Sequence, residues 1–186
     1  MSSRQYRRNG TPIGKYKVYA LVFKRGEWTQ SYEIIPSGIE DYEDLEGLVE
    51  LEAMTGKFGY GYDRLIITKP GVDLGGAKLL DVDMSGSNLS GANLRKAKLE
   101  GAELVGVNLS GADLSEADML GTRMEGTVLS GSKFIGAYME RVKLVDIKLD
   151  YSTDFSKAYL PDGPVPFGWD RDREGVLSPW KSRRRR

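Results

Sequence analysis

The stretch from Val72 to Tyr151 divides without a gap into sixteen groups of five residues: VDLGG, AKLLD, VDMSG, SNLSG, ANLRK, AKLEG, AELVG, VNLSG, ADLSE, ADMLG, TRMEG, TVLSG, SKFIG, AYMER, VKLVD and IKLDY. The third residue of every group is large and apolar, the first is small or β-branched, and the other three are mostly polar, charged or glycine. A period of five fits neither a helix, which repeats every 3.6 residues, nor a strand, which repeats every two. We therefore predict a chain that turns a corner once per group and points each third side chain inward.

This pattern resembles the pentapeptide-repeat family, A-(D/N)-L-x-x, and the resemblance covers roughly half of the chain. It implies a mainly β fold: a right-handed quadrilateral β-helix with one group on each face and about twenty residues per coil. The repeats would then span residues 72–160 and build about four coils, with a partial fifth.

Columns of related residues at a spacing of twenty support the coil. The first residue of the second face is alanine in all four coils, at Ala77, Ala97, Ala117 and Ala137. After Tyr151 the register shifts by one residue, so that Phe155 is expected to stack on Phe134 and Ala158 to extend the alanine column. The predicted core ladder contains Leu74, Leu89, Leu94, Leu109, Leu114, Leu129, Phe134 and Leu149.

The residues before the repeats indicate a basic arm and a small α+β unit. Residues 1–14 are polar and basic, and residues 15–71 contain two strands at 15–24 and 27–35 that form a hairpin. A helix over 39–54 follows a capping-box pattern, and a strand at 63–69 leads into the first repeat. We expect this unit to cover the N-terminal end of the β-helix. The acidic face of the helix is either a docking surface or simply solvated.

The residues after the repeats indicate a C-terminal cap and a basic tail over 161–186. The segment 164–169 contains two prolines and does not continue a ladder of backbone hydrogen bonds. Phe167 and Trp169 are expected to fold over the open end of the β-helix. The last seven residues, WKSRRRR, contain five basic side chains and no means of building a core.

The composition excludes several classes of chemistry. The chain has 186 residues, 27 basic and 27 acidic side chains, and neither cysteine nor histidine. It therefore has no Ser-His-Asp triad, no thiolate nucleophile and no zinc site built from nitrogen and sulfur ligands. We expect no enzyme activity, no cofactor, no metal and no small-molecule substrate. No signal peptide or membrane span is apparent, which favours a soluble cytoplasmic protein or a component of a virion.

The candidate partner-binding residues are basic or aromatic. Tyr138 and Tyr159 are expected to be neighbours on the alanine face, where they mark a contact surface or are ordinary exposed residues. The basic candidates contact phosphates or an acidic partner, or they serve only as a solubilising end; they are Arg4, Arg7, Arg8, Lys181, Arg183, Arg184, Arg185 and Arg186.

Three functions remain open from the sequence. The first is a non-catalytic structural or interaction protein, a rigid platform that binds protein partners in a larger assembly such as a virion. The second comes from the resemblance alone: some pentapeptide-repeat proteins mimic duplex DNA and bind type II topoisomerases, which calls for a long and uniformly acidic rod. The four coils here carry net charges of −2, +1, −3 and +1. The third is nucleic-acid contact through the basic tails. The first is preferred.

Overall fold

A computed structural model of the protein describes residues 17–24, 27–34 and 64–179. Its first three strands are β1 (Val18–Lys24), β2 (Glu27–Ile34) and β3 (Arg64–Ile67). They form one sheet in the order β2-β1-β3, and β1 is antiparallel to both neighbours. These strands lie where the sequence predicts them. The predicted helix over 39–54 and the predicted hairpin tip at 25–26 lie outside the described residues.

From residue 73 onward the backbone forms a β-helix. Parallel bridges join residues twenty positions apart, as in Asn88 to Asn108 and Asn108 to Val128. One turn therefore takes up four of the five-residue groups. The Asn108 N–H donates to the carbonyl of Ser87 at 3.0 Å, and the Leu109 N–H donates to the carbonyl of Val128 at 2.8 Å. Each turn is thus hydrogen-bonded to the turn before it and to the turn after it.

The second residue of the group is often Asp or Asn because its side chain satisfies a backbone donor. The Oδ1 of Asn93 accepts the N–H of Arg95 at 3.1 Å, and the Oδ1 of Asp113 accepts the N–H of Ser115 at 2.9 Å. This Asx turn pairs the N–H of the fourth residue, which the inter-turn bonds leave unpaired. The same bond recurs at Asp73, Asp83, Asn88, Asn108, Asp118 and Asp154.

The fifth residue turns the corner with a positive φ angle. Glycine is common there because it adopts this conformation without steric cost, as at Gly111 with φ of 68°. Lys96, Glu116 and Arg141 take the same position with φ of 59°, 61° and 59°. For a residue with a Cβ atom this conformation costs roughly 1–2 kcal/mol. The preference for glycine at the fifth position is therefore conformational.

The third side chains fill the interior of the β-helix. Seven of the eight residues of the predicted core ladder are at most 1 % exposed: Leu74, Leu89, Leu94, Leu109, Leu114, Leu129 and Phe134. Leu149 is different, because it is only half-buried at the edge of the core. It lines a cleft at the end of the β-helix, where the repeat register shifts.

Several first residues are buried hydroxyl side chains, and most of these hydroxyls have a partner. The Oγ1 of Thr127 lies 3.0 Å from the carbonyl of Leu104 and 2.6 Å from that of Met124, so it donates to one or the other. The hydroxyl of Ser87 is also buried but has no hydrogen-bond partner among the described residues. The two sites therefore differ in what a hydroxyl contributes.

We expect Thr127→Val to lower the free energy of unfolding by about 1 kcal/mol, the net contribution of one buried hydrogen bond. Ser87→Ala is the matched control, and its effect should stay within about 0.5 kcal/mol because no hydrogen bond is lost. Urea denaturation followed by circular dichroism measures both values. Equal losses for the two variants would contradict the assigned role of the Thr127 hydroxyl.

The predicted register shift after Tyr151 is confirmed. The bridges beyond it span 21 residues instead of twenty, as in Lys133 to Asp154. As a result the Phe155 ring stacks on Phe134, with ring centroids 4.8 Å apart. One additional residue is thus accommodated without ending the β-helix.

A second hairpin lies at the C-terminal end of the repeats. Strand β4 (Trp169–Arg171) pairs antiparallel with β5 (Leu177–Pro179). The N–H of Leu177 donates to the carbonyl of Ala158 at 2.8 Å, and the Leu177 side chain is buried. The start of β5 therefore pairs with the last repeat, a contact that the sequence analysis does not predict.

The two aromatic residues expected over the open end take different positions. The Trp169 ring packs edge-on against Phe155, with centroids 5.8 Å apart. Phe167 is 66 % exposed and does not cover the end. Gly168 between them has φ of 90°, and this backbone turn separates the directions of the two side chains.

Candidate interaction surface

Two tyrosines form a stacked pair on one side of the β-helix. Tyr138 and Tyr159 bridge each other, and their rings stack with centroids 5.2 Å apart and an interplanar angle of 12°. They follow Ala137 and Ala158, which are buried beneath them. Tyr138 is 37 % exposed and Tyr159 is half-buried. The structure thus brings together the two residues that the sequence analysis proposed as neighbours.

The Tyr138 side chain is further held by a carboxylate. Its hydroxyl donates to Glu140. This hydrogen bond is the main reason that the pKa of Tyr138 is raised to about 12; desolvation and the negative charge of Glu140 act in the same direction. The ring is therefore neutral at physiological pH and restrained by both a stacked neighbour and a hydrogen bond.

We expect Tyr138 to ionise at higher pH than an unperturbed tyrosine, whose pKa is about 10. Since the pKa is raised in the folded state, the associated stability is fully present below about pH 10 and is lost as the pH rises through about 12. Titration followed by NMR of ¹³Cζ-labelled tyrosine measures it, with Tyr138→Phe used for assignment. Glu140→Gln should lower the Tyr138 pKa. An unchanged titration in that variant would contradict the role of the carboxylate.

Opposite charges on neighbouring turns compensate each other. The Arg123 guanidinium lies 3.0 Å from Glu103, one turn earlier, and 3.3 Å from Glu125. Glu116 pairs with Arg95 and, at 3.4 Å, with the Lys96 ammonium. All of these groups are partly exposed and screened by solvent, so the pairs contribute little to stability. Their main effect is to prevent a continuous acidic surface.

An aromatic cleft lies at the C-terminal end of the repeats. It has a volume of about 450 Å³ and is lined by Leu149, Asp150, Tyr151, Phe167, Trp169 and Pro179, among others. Tyr151 is 98 % exposed at its rim. The cleft is thus formed by the last part of the repeats and by the hairpin of β4 and β5.

The repeats and their geometry agree with an independent match to a family. A sequence model of pentapeptide repeats matches eight copies over residues 71–106 and 108–146. The chain belongs to the pentapeptide-repeat family.

Solved structures of other pentapeptide-repeat proteins are similar to this chain. One from the cyanobacterium Cyanothece is 27 % identical over 46 % of this chain and 61 % of that protein, with a TM-score of 0.40. One from Nostoc is 32 % identical over 62 % of this chain and 78 % of that protein, with a TM-score of 0.33. This chain therefore spans less than two thirds of the length of the Cyanothece protein. Family membership rests on the repeats rather than on superposition of whole chains.

A more distant similarity is to QnrB1, a plasmid-mediated fluoroquinolone resistance protein. It is 15 % identical over 47 % of this chain and 60 % of that protein, with a TM-score of 0.29. No curated protein is significantly similar to this pentapeptide-repeat protein.

All eight basic candidates fall outside the described residues. These are Arg4, Arg7, Arg8, Lys181, Arg183, Arg184, Arg185 and Arg186. Within 17–24, 27–34 and 64–179, the acidic side chains form no group of three or more that could hold a metal ion. The same residues contain no helix long and apolar enough to cross a membrane.

The aromatic cleft is the part of the surface that the sequence analysis missed. Tyr151 closes the last regular group, just where the register shifts, and an aromatic residue at that point is the available signal. The pairing of β4 with β5 brings Phe167 and Trp169 to the same end. This long-range contact has no counterpart in the five-residue pattern.

Proposed function

We propose that this pentapeptide-repeat protein is a non-catalytic interaction protein. Its right-handed, four-sided β-helix of about four turns is a rigid platform that presents side chains to protein partners. The third side chains fill the core, and the Asp and Asn side chains at second positions close Asx turns. What remains for function is the outward surface. The observation that carries the proposal is the stacked and hydrogen-bonded pair of Tyr138 and Tyr159.

The tyrosine pair has the properties of a binding residue set. Tyrosine is enriched at protein interfaces because it offers a large contact area together with a polar group. Tyr138 is already restrained by Tyr159 and Glu140, so little side-chain entropy is lost when a partner binds. The partner would therefore contact the side of the β-helix that carries the alanine column.

A site-specific crosslink tests this surface. Tyr138 is replaced by the photo-reactive benzoylphenylalanine, and the same replacement at Lys143 is the matched control. Lys143 is also the second residue of its group, in the next group along the chain, and is also exposed. After irradiation in an extract of the source cells, position 138 should give a discrete adduct that position 143 does not. Tyr159→Ser should reduce that adduct. Identical adducts at both positions would remove the tyrosine pair from the proposal.

The proposed division of the chain assigns separate tasks to its parts. Residues 1–14 are a basic arm, 15–71 cover the N-terminal end of the β-helix, 72–160 are the repeats, and 161–186 form the C-terminal cap and basic tail. Two contacts support the second assignment. The Lys17 N–H donates to the carbonyl of Gly86 at 3.0 Å, and the Tyr19 hydroxyl donates to the carbonyl of Ser85 at 2.9 Å.

Incorporation into a larger particle such as a virion is part of the same proposal. It predicts that the chain sediments with the particle fraction in fixed stoichiometry. Recovery of the chain only in the free cytoplasmic fraction would restrict the proposal to a smaller complex.

Binding to a type II topoisomerase as a DNA mimic is the alternative for this family. The charges do not favour it, because net charge changes sign between turns and Glu103 and Glu116 are paired with basic side chains. Added protein should leave DNA supercoiling by gyrase unchanged. Inhibition, or protection from a quinolone, would reverse the ranking.

Nucleic-acid contact through the basic tails is the third function. Replacing the four arginines of 183–186 by serine should abolish binding to duplex DNA and its dependence on salt if the tail is the contact. Binding that is equally strong in both proteins would exclude this part of the tail.

A further inference from the structure

The last regular turn of the β-helix, residues 132–151, is only partly paired with the chain that follows it. Its first group is bonded to a later residue, because the Phe134 N–H donates to the carbonyl of Asp154 at 2.7 Å, and its second group is bonded in the same way. No later residue within the described ranges forms a bridge with its last two groups, residues 142–151. This edge of the β-helix therefore lacks a neighbouring strand among the described residues.

The fourth group of this turn presents the two backbone groups that a parallel neighbour uses. In the preceding turn, the Leu129 N–H donates to the carbonyl of Lys148 at 2.6 Å, and the Lys148 N–H donates to the carbonyl of Thr127 at 2.8 Å. The equivalent groups one turn later are the Leu149 N–H and the Ile147 carbonyl. Neither is hydrogen-bonded to another described residue. A residue that bridges Lys148 would pair with both, and an unpaired strand edge is a template for such an addition.

The Leu149 side chain is incompletely covered at the same edge. Leu129, which precedes it in the column, is fully buried, whereas Leu149 is half-buried and lines the cleft of about 450 Å³. A large apolar side chain placed after the bridging residue would follow Leu149 in the column as Leu149 follows Leu129. Removal of this apolar surface from water would add to the two backbone hydrogen bonds.

The charge at this edge favours an acidic residue at the bridging position. Lys148 is exposed and forms no ion pair within the described part of the chain. The nearby carboxylate of Asp150 already accepts hydrogen bonds from Ser152. In the same turn, Lys133 is bridged by Asp154. This β-helix therefore already places an acidic residue one turn after a lysine, and the same arrangement is open at Lys148.

We propose that the edge formed by Ile147, Lys148 and Leu149 binds an extended segment of a partner protein, whose sequence reads small, acidic, large apolar. The acidic residue bridges Lys148, and the apolar side chain is buried against Leu149. Backbone hydrogen bonds give affinity and the two side chains give specificity, as in other proteins in which a peptide adds a strand to a sheet. This surface is separate from the tyrosine pair and does not depend on the proposed function.

A short peptide added to the full native chain tests this edge. The probe is acetyl-GADLSG amide, which contains the small, acidic and apolar residues in the required order. ¹⁵N NMR should show saturable shifts of the Leu149 amide with a Kd below about 1 mM, and hydrogen exchange of that amide should become slower. A peptide with an N-methyl group on its aspartate cannot donate to the Ile147 carbonyl, and it should bind about tenfold more weakly.

A charge reversal locates the contact. Lys148→Glu should weaken binding of acetyl-GADLSG amide about fivefold, and acetyl-GAKLSG amide should recover the lost affinity. Lys133→Glu is the matched control. Lys133 is also an exposed lysine at the second position of its group, but its bridge to Asp154 is already formed. This control should leave peptide binding unchanged.

Three results would overturn the inference. They are a Leu149 amide that does not respond to millimolar peptide, equal binding of the N-methylated peptide, and equal effects of Lys148→Glu and Lys133→Glu. Self-association that protects the Leu149 amide in the absence of peptide would also overturn it, because the edge would then belong to a second copy of the chain.

Discussion

Leu109→Asp is expected to unfold the β-helix at room temperature. Leu109 is fully buried in the middle of a column in which Leu89 precedes it and Leu129 follows it. The substitution removes a packed side chain, which costs about 2–5 kcal/mol. It also places an unpaired carboxylate in the core, which costs several kcal/mol more. The sum is comparable to the total stability of an ordinary domain, about 5–15 kcal/mol.

Loss of this one turn should affect the others. Each turn contacts only its neighbours, so the stability of a repeat protein is approximately a sum of unit and nearest-neighbour terms. Leu109 lies in a central turn. If this turn unfolds, the turns before it and after it lose the neighbour that stabilises them. Circular dichroism should show loss of the β signal in buffer. Hydrogen exchange should show that the slowly exchanging backbone amides of the native protein now exchange rapidly.

Two substitutions control for the position and for the residue type. Leu109→Met should cost less than about 1.5 kcal/mol, since methionine already occupies the equivalent place in four groups of the sequence. Ser110→Ala removes a hydroxyl that donates to Asn108 and should cost no more than about 1 kcal/mol. Cooperative unfolding of Leu109→Asp within about 1 kcal/mol of the native protein would contradict the assigned interior.

Phe155→Ala is expected to have the next largest effect, a loss of about 3–5 kcal/mol in the free energy of unfolding. Phe155 is fully buried between Phe134, on which it stacks, and Trp169, which packs against its edge. The substitution leaves a cavity at the point where the repeats meet the C-terminal hairpin. Urea denaturation gives the change in stability, and near-ultraviolet circular dichroism reports the loss of aromatic packing.

Phe155→Leu is the matched variant for this prediction. Leucine is the usual third residue of the groups and fills most of the space, so a loss of about 1–1.5 kcal/mol is expected. A cost for alanine no greater than that for leucine would mean that the aromatic stack contributes little to the end of the β-helix.

The sequence was sufficient for the regular part of the fold because one short pattern is repeated and each position has one physical task. The third residues are buried, the second residues close Asx turns and the fifth residues take a positive φ. The contact of Phe134 with Phe155 and that of Tyr138 with Tyr159 follow from counting along the chain once the register shift is included. The contact within the tyrosine pair was therefore predictable from the sequence.

The C-terminal end was less predictable because its contacts are not periodic. The pattern predicts a buried Leu149, yet this residue is half-buried beside the cleft. Phe167 was expected over the open end and is exposed. Both positions depend on how β5 pairs with the last repeat, and that pairing is encoded in no local signal.

The bridges between residues twenty positions apart also determine how such a protein can change length. Inserting twenty residues would lengthen the molecule by about 4.8 Å and leave every downstream side chain in the same angular phase. Inserting five would instead rotate everything downstream by a quarter of a turn, and would carry the Tyr138 surface to another side relative to strand β1. A change in the number of repeats therefore has one of two results. An insertion of a multiple of twenty residues changes only the length of the β-helix, whereas an insertion of another multiple of five also rotates all the side chains that follow it.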